Sequence, residues 1–198
     1  GMQNKQKLIE ESWQRCRQYG IAQNGWSQAE VLTGKELESV LKDSQELIDS
    51  ARLLMQSLYE LVASSGFVVV LLNADGYIVE VIGEMDDAKS SWSRYYARGV
   101  KWTEELVGTS ALSLALLGSG PIQVLGDEHY CKAYADWTCS AAPLTDDCGK
   151  IMGVLSVTGS KENAHSHTLG MVVSAAAAIN NMIKVRRAQK KLEDTARL

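Results

Sequence analysis

Two seams of apolar residues, stepped alternately by three and four, bracket this chain and limit what it can become. The first runs Leu37, Val40, Ser44, Leu47, Ala51, Leu54, Leu58, Leu61 and is apolar at seven of eight positions. Sustained over about four heptads, such spacing sets the side chains on one stripe of a helix. Thr33 as N-cap, with Glu36 three residues later, predicts a capping box and a helix from about Gly34 to Ala63. Leu41, Ile48, Met55 and Val62 lie beside the seam and widen it enough to cover a sheet. The second seam, Met171, Ala175, Ala178, Met182, Val185, Gln189, Leu192, Ala196, is again apolar at seven of eight. It belongs to a helix expected to begin near Ser166, which serves as its N-cap, and to run to the end. From Lys184 onward that helix carries six cations against two anions, a local excess of +4. Like charges on one helix are mildly unfavourable alone, so an acidic neighbour is expected. Glu38, Asp43, Glu46 and Asp49 are the candidates. The two seamed helices read as one bundle outside a sheet, doubled by dimerisation.

Between the seams lie strands. Ser64-Ser65-Gly66 ends the first long helix, and Phe67–Leu72 is apolar on both faces. Ala74-Asp75-Gly76 is a tight turn, and Tyr77–Ile82 returns as the partner strand. A hairpin straight after a helix signals α+β rather than a parallel βαβ unit. Residues 84–106 have little periodicity and predict short helices and loops. A short helix at about Ser110–Leu117 leads into strands at Ile122–Leu125, Trp137–Leu144 and Ile151–Thr158, the last two joined by a turn at Asp146–Gly149. Upstream of everything, Gln6–Tyr19 predicts a short helix closed by Gly20 and the Asn24-Gly25 turn. The expected sheet is antiparallel or mixed, with five or six strands. Long helices pack on one face and a covering layer of loops and short helices packs on the other. The expected division is a helical extension over 1–33, a central domain over 34–183 and a basic helical extension over 184–198.

Composition removes several functions. A net charge of −4 argues against a nucleic-acid-binding face. The longest uninterrupted apolar run, Phe67–Leu72, is far short of the roughly 20 residues of a membrane helix. No leader is evident, so a cytoplasmic location is the default and no membrane partner is expected. Four cysteines without close pairing suit reduced thiols. Thr33-Gly34-Lys35-Glu36 lacks the earlier glycine and the preceding strand of a phosphate-binding loop, and no helix-turn-helix pattern is present. No Gly-x-Ser-x-Gly elbow supports a hydrolase. His129-x-Cys131, Cys139 and Cys148 could supply soft metal ligands, but without a Cys-x-x-Cys knuckle the pattern is weak. No cofactor is implied.

Two dense segments carry the remaining information. One is Lys101-Trp102-Thr103-Glu104-Glu105-Leu106-Val107-Gly108-Thr109-Ser110-Ala111. The other is Asp127-Glu128-His129-Tyr130, followed after six residues by Trp137-Thr138-Cys139-Ser140-Ala141-Ala142-Pro143-Leu144. With Ser12-Trp13-Gln14-Arg15-Cys16 and Gly149–Val157, these segments resemble the GAF sensory domain of sigma-54-dependent transcriptional activators of the acetoin-catabolism-regulator type, over roughly residues 12–183. The chain departs at Ser110, where that family usually has Asn.

The resemblance implies a non-enzymatic sensor with an ATPase domain and a DNA-binding domain as partners in a full-length regulator. It also implies a ligand between the sheet and the elements crossing it. Small-molecule pockets are mostly apolar, with a few convergent polar groups. Trp102, Trp137 and Met152 are therefore the expected walls, with Thr109, Ser110, His129, Thr138, Cys139 and Ser140 as polar or thiol contacts. Strand alternation turns Trp137, Cys139 and Ala141 one way and Thr138, Ser140 and Ala142 the other. The rival reading is a cysteine-based redox or metal sensor, or a GAF enzyme that reduces free methionine sulfoxide through Cys131, Cys139 and Cys148.

Overall fold

A computed structural model describes residues 2–24, 30–84 and 95–198. The elements in chain order are α1 (Met2–Tyr19), α2 (Gly34–Asp43), α3 (Gln45–Val62), β1 (Val68–Asn73), β2 (Ile78–Ile82), α4 (Glu104–Val107), α5 (Ala111–Leu117), β3 (Ile122–Leu125), β4 (Trp137–Thr145), β5 (Ile151–Ser160) and α6 (Ser166–Ala196). The fold is α+β, as expected. Its sheet has five strands in the order β2-β1-β5-β4-β3, all antiparallel. Gly25 of the expected first turn, and residues 85–94 of the aperiodic segment, lie outside the described residues.

The first seam is interrupted at its one polar position. Ser44 (φ −93°, ψ 6°) separates α2 from α3, although its N–H still bonds the Val40 carbonyl at 3.0 Å. Downstream of that break α3 buries Leu47, Ile48, Ala51, Met55, Leu58 and Val62, whereas α2 buries nothing. The capping box expected at Thr33 does not form: its backbone is extended, but its hydroxyl makes no cap bond. The second long helix begins at Ser166, as expected, but its cap lies one residue earlier. His165, not Ser166, is its N-cap, with the ring Nδ1 accepting the His167 N–H at 3.1 Å.

One face of the sheet is aliphatic. Val69, Leu71, Val79, Ala142, Leu144, Leu155 and Val157 pack against the buried stripe of α3 and against Val172, Ala176, Ile179 and Ile183 of α6. Gly159 makes room for Phe67 here, since a Cβ would fall 1.6 Å from the phenyl ring. By length and composition a stretch of α6 could cross a membrane, with mean hydropathy 1.3. In the fold its inner stripe lies on the sheet. The expected seam of Met171, Ala175, Ala178 and Met182 sits beside that stripe, half-buried, and from Lys184 onward every residue is exposed. Of the expected acidic neighbours Glu46 bonds Arg187 Nε at 2.6 Å, and Asp147, not anticipated, lies 3.4 Å from Lys184 Nζ.

The other face carries a lid. Val68, Val70, Leu72, Ile78, Cys139, Ala141 and Val154 meet side chains from α1, α5 and the loops around Trp102 and Tyr134. The segment through Trp102 is fixed to the sheet by main-chain bonds: Ile78 N–H to Val100 O (2.9 Å), Gly99 N–H to Ile78 O (2.8 Å) and Trp102 N–H to Gly76 O (2.7 Å). Gly99 (φ +93°) is required there, because a Cβ would meet the Leu32 carbonyl at 2.5 Å. Helix α1 is docked on this lid, with Leu8, Ile9 and Trp13 packed against it.

Candidate functional site

The site layer is built from the two dense segments plus α1. Trp102 is 1% exposed; its indole N–H donates to the Tyr95 carbonyl at 2.9 Å. Its ring lies 4.7 Å from Tyr96 and 5.7 Å from Tyr134. His129 Nδ1 sits 2.8 Å from the Gly126 carbonyl and the ring meets Tyr134 edge-on at 5.9 Å. A carbonyl only accepts, so Nδ1 carries the proton and Nε2 is left as an acceptor. Burial pushes the pKa of His129 down to about 4, against smaller upward pulls from the Gly126 bond and Glu128. The ring is therefore neutral at pH 7. Cys139 Sγ lies 2.6 Å from Thr158 Oγ1 and 4.0 Å from the Tyr96 hydroxyl.

Six of the eight expected site residues lie in this layer: Trp102, Thr109, Ser110, His129, Trp137 and Cys139. Two of the six, however, have their hydroxyls occupied by the lid itself. Ser110 caps α5, exchanging bonds with Ser113 at 3.0 Å in both directions. Thr109 Oγ1 lies 2.6 Å from Ser12 Oγ and 3.6 Å from Cys16 Sγ.

Ser140 and Met152 lie on the opposite face. Ser140 accepts from Gln123 Nε2, which also bonds the His165 carbonyl at the start of α6. Met152 packs with the α3–α6 layer and approaches Arg187. The cause is a β-bulge: pairing passes from Leu144↔Gly153 to Thr145↔Ile151 and leaves Met152 unmatched, which reverses its side. Thr138, the remaining expected polar contact, shares the helical face with Ser140.

Residues not anticipated complete the layer: Tyr96, Tyr134, Ser156 and Thr158. The period-two rule applied to β5 could have found Ser156 and Thr158, had the register across the bulge been legible. Ser156 is 0% exposed, and among the described residues its hydroxyl has no hydrogen-bond partner.

A clamp unites the motif around Ser12 with the motif around Glu104. The Glu104 carboxylate, 2% exposed, receives Arg15 Nε (2.5 Å), Arg15 Nη2 (2.9 Å) and Ser12 Oγ (2.8 Å). Trp13 donates to the Glu128 carbonyl at 2.8 Å and stands edge-on to Tyr130. Beside it, a cleft of about 1150 Å³ opens between α1 and the end of β3, lined by Trp13, Arg17, Leu125 and Asp127 among others.

The three buried thiols are poor nucleophiles. Burial raises Cys16 and Cys139, and it pushes Cys131 up to about 11. Reactive cysteines need the opposite shift. Among the described residues, no three His, Cys, Asp or Glu side chains gather as a metal site.

A five-stranded antiparallel sheet, long helices on one face and an aromatic lid on the other make this a GAF-like sensory domain. In the crystal structure of the DhaR(N)–DhaL complex of E. coli, one chain superposes with a TM-score of 0.87 over 96% of this chain and 65% of that one, at 19% identity. The chain belongs to the family described as MimR, N-terminal domain, whose profile matches residues 6–181. A signal-transduction and transcriptional-control protein of Clostridium beijerinckii is 32% identical over 96% of the chain and 30% of its own length. The acetoin catabolism regulatory protein of Cupriavidus necator is 34% identical over 88% of the chain and 27% of its own length. The chain thus spans less than a third of these relatives. They are named as transcriptional regulators, not enzymes, in line with the expected regulatory, non-enzymatic role.

Proposed function

We propose that this domain senses a small uncharged metabolite held between the sheet and the lid, in the cytoplasm, within a longer transcriptional regulator. The observation that carries this reading is the chemistry of the lid layer. Trp102, Tyr96, Tyr134 and Trp137 supply apolar walls, while Cys139, Thr158, Ser156 and neutral His129 supply a few polar atoms. Glu104, a buried carboxylate of the layer, is neutralised by Arg15. Among the described residues a charged ligand would find no free countercharge there, and an unpaired buried charge is costly.

Occupancy would shift α3 and α6 relative to each other, with a typical coupling of about 1–3 kcal/mol. The half-buried row Met171, Ala175, Ala178 and Met182, continued by exposed Val185 and Leu192, is the proposed dimer seam. The ATPase and DNA-binding domains of a full-length regulator would receive the signal beyond α6. A thermal-shift screen of polyols, hydroxyketones, amino acids and aromatics tests the sensor. A ligand at 100 times its dissociation constant adds about 2.7 kcal/mol of stability. Silence from every uncharged compound would defeat the reading, and a monomeric mass by light scattering at micromolar concentration would defeat the dimer.

A further inference from the structure

On its lid side the centre of the sheet carries only small side chains. Cys139 pairs with Thr158, and Ala141 pairs with Ser156, on adjacent strands β4 and β5. These four side chains project the same way, forming a two-by-two tile about 5 Å by 7 Å. On the reverse face the same strands carry Leu144, Leu155 and Val157, packed under α3 and α6. Large aromatics, Tyr96, Trp102 and Tyr134, stand over the lid side. The Tyr96 hydroxyl touches down at one corner of the tile, 4.0 Å from Cys139 Sγ, and small residues beneath rigid rings are how an interior leaves room beside such a contact.

Three of the four tile positions are chemically quiet. Cys139 and Thr158 bond one another, and Ala141 has nothing to bond. Ser156 differs: it is wholly buried and its hydroxyl makes no hydrogen bond of accepted geometry among the described residues, although it lies near enough to the Cys139 thiol to favour the thiolate weakly. Among the described residues three other buried hydroxyls are unpartnered, but none of these projects from the sheet into this layer. Ser50 lies on α3, Thr138 on the helical face of β4, and Thr103 in the loop beside Gly76.

We infer that the tile is the floor of the ligand site and that Ser156 is its polar anchor, hydrogen-bonding one hydroxyl or carbonyl of a compact neutral ligand. This rests on the sensor reading above. The ligand places its apolar body beneath Trp102 and Tyr96 and its one polar group on Ser156 Oγ. Because a hydroxyl both donates and accepts, an alcohol and a ketone of equal size both fit, while a carboxylate does not.

Two variants of the 198-residue chain separate this inference from the broader reading. The probes are 2-butanone, 2-butanol and butyrate, followed by NMR titration and by thermal melting. Wild type is expected to bind the first two and not butyrate. Ser156→Ala is expected to weaken both at least tenfold with an unchanged or raised Tm, since it deletes an unpaired group. Ala141→Val is expected to abolish binding without lowering Tm, since its added methyls would occupy the volume assigned to the ligand. Wild-type affinity in both variants overturns the anchor and floor but leaves a sensor that binds elsewhere in the lid. So does an Ser156→Ala protein whose Tm falls several degrees while its affinity holds, because the hydroxyl then serves the fold through a buried water. No binding by wild type, together with a sharp loss of Tm in Ala141→Val, means a filled interior, and it overturns this inference and the sensor reading together.

Discussion

The two faces of the one sheet are made differently, although the same strands supply both. Under α3 and α6 the contacts are aliphatic and repetitive: Leu155 and Val157 against Ala176, Ile179 and Met55. Under the lid they are aromatic rings, thiols and hydroxyls joined by specific polar bonds between distant parts of the chain. Arg15 and Glu104 are 89 positions apart, and Ser12 and Thr109 are 97 apart. The first face provides stability that is insensitive to detail. The second is held by specific polar contacts, each of which fails on its own, and such regions lie at the low-stability end where binding sites are found.

That contrast is breakable. The largest effect is expected on the helical face, where Leu155→Ala should cost about 2–5 kcal/mol in urea unfolding, as buried leucines do. A loss below about 1 kcal/mol would mean the aliphatic layer is not the main source of stability. Next comes Arg15→Ala, which leaves the Glu104 carboxylate buried without its cation. About 3 kcal/mol is expected, reduced by the partial exposure of Arg15, and Glu104→Gln in the same protein should recover part of it.

A comparable effect is expected from pH. His129 binds its proton near pH 6.5 when unfolded and near 4 when folded, so acid favours the unfolded chain across that window. Stability should fall by about 3 kcal/mol from pH 6.5 to 4, and His129→Gln should flatten that slope. Glu80 acts lower. Burial alone would raise its carboxyl, but bonds from Arg98 and Arg52 outweigh that and hold it below the usual range. Its contribution is therefore complete above the ordinary carboxylate pKa and disappears as pH falls through the depressed one. A flat profile from pH 6.5 to 5 in wild type would contradict the buried neutral histidine. Smallest of all, Glu46→Gln should change stability by under about 1 kcal/mol, because the Arg187–Glu46 pair is half exposed on both sides.

The helical face was largely legible because periodicity encodes it. Leu47, Ala51 and Leu58 sit where the heptad spacing predicts, and every predicted strand appears within a residue or two. What spacing cannot express is a local defect. The break at Ser44, the missing cap at Thr33 and the bulge at Met152 each turn on one residue's backbone, and the bulge moved Met152 to the wrong side of the sheet. In the candidate site, Trp102, His129 and Cys139 stood out by type. Thr109 and Ser110 did too, but their hydroxyls are engaged within the lid, which only the fold reveals. Ser156 attracted no notice because a serine in a Val-rich strand resembles a neutral filler. Its burial without a partner is a property of the packed state.

Glu80, on the edge strand β2, is a carboxylate that grips both layers. Arg52 reaches it from α3 at 3.1 Å, and Arg98 reaches it at 2.5 Å from the run of chain that leads to Trp102. The covering layer and α3 are thus fastened to a common post at the rim, a mechanical link that bypasses the middle of the sheet.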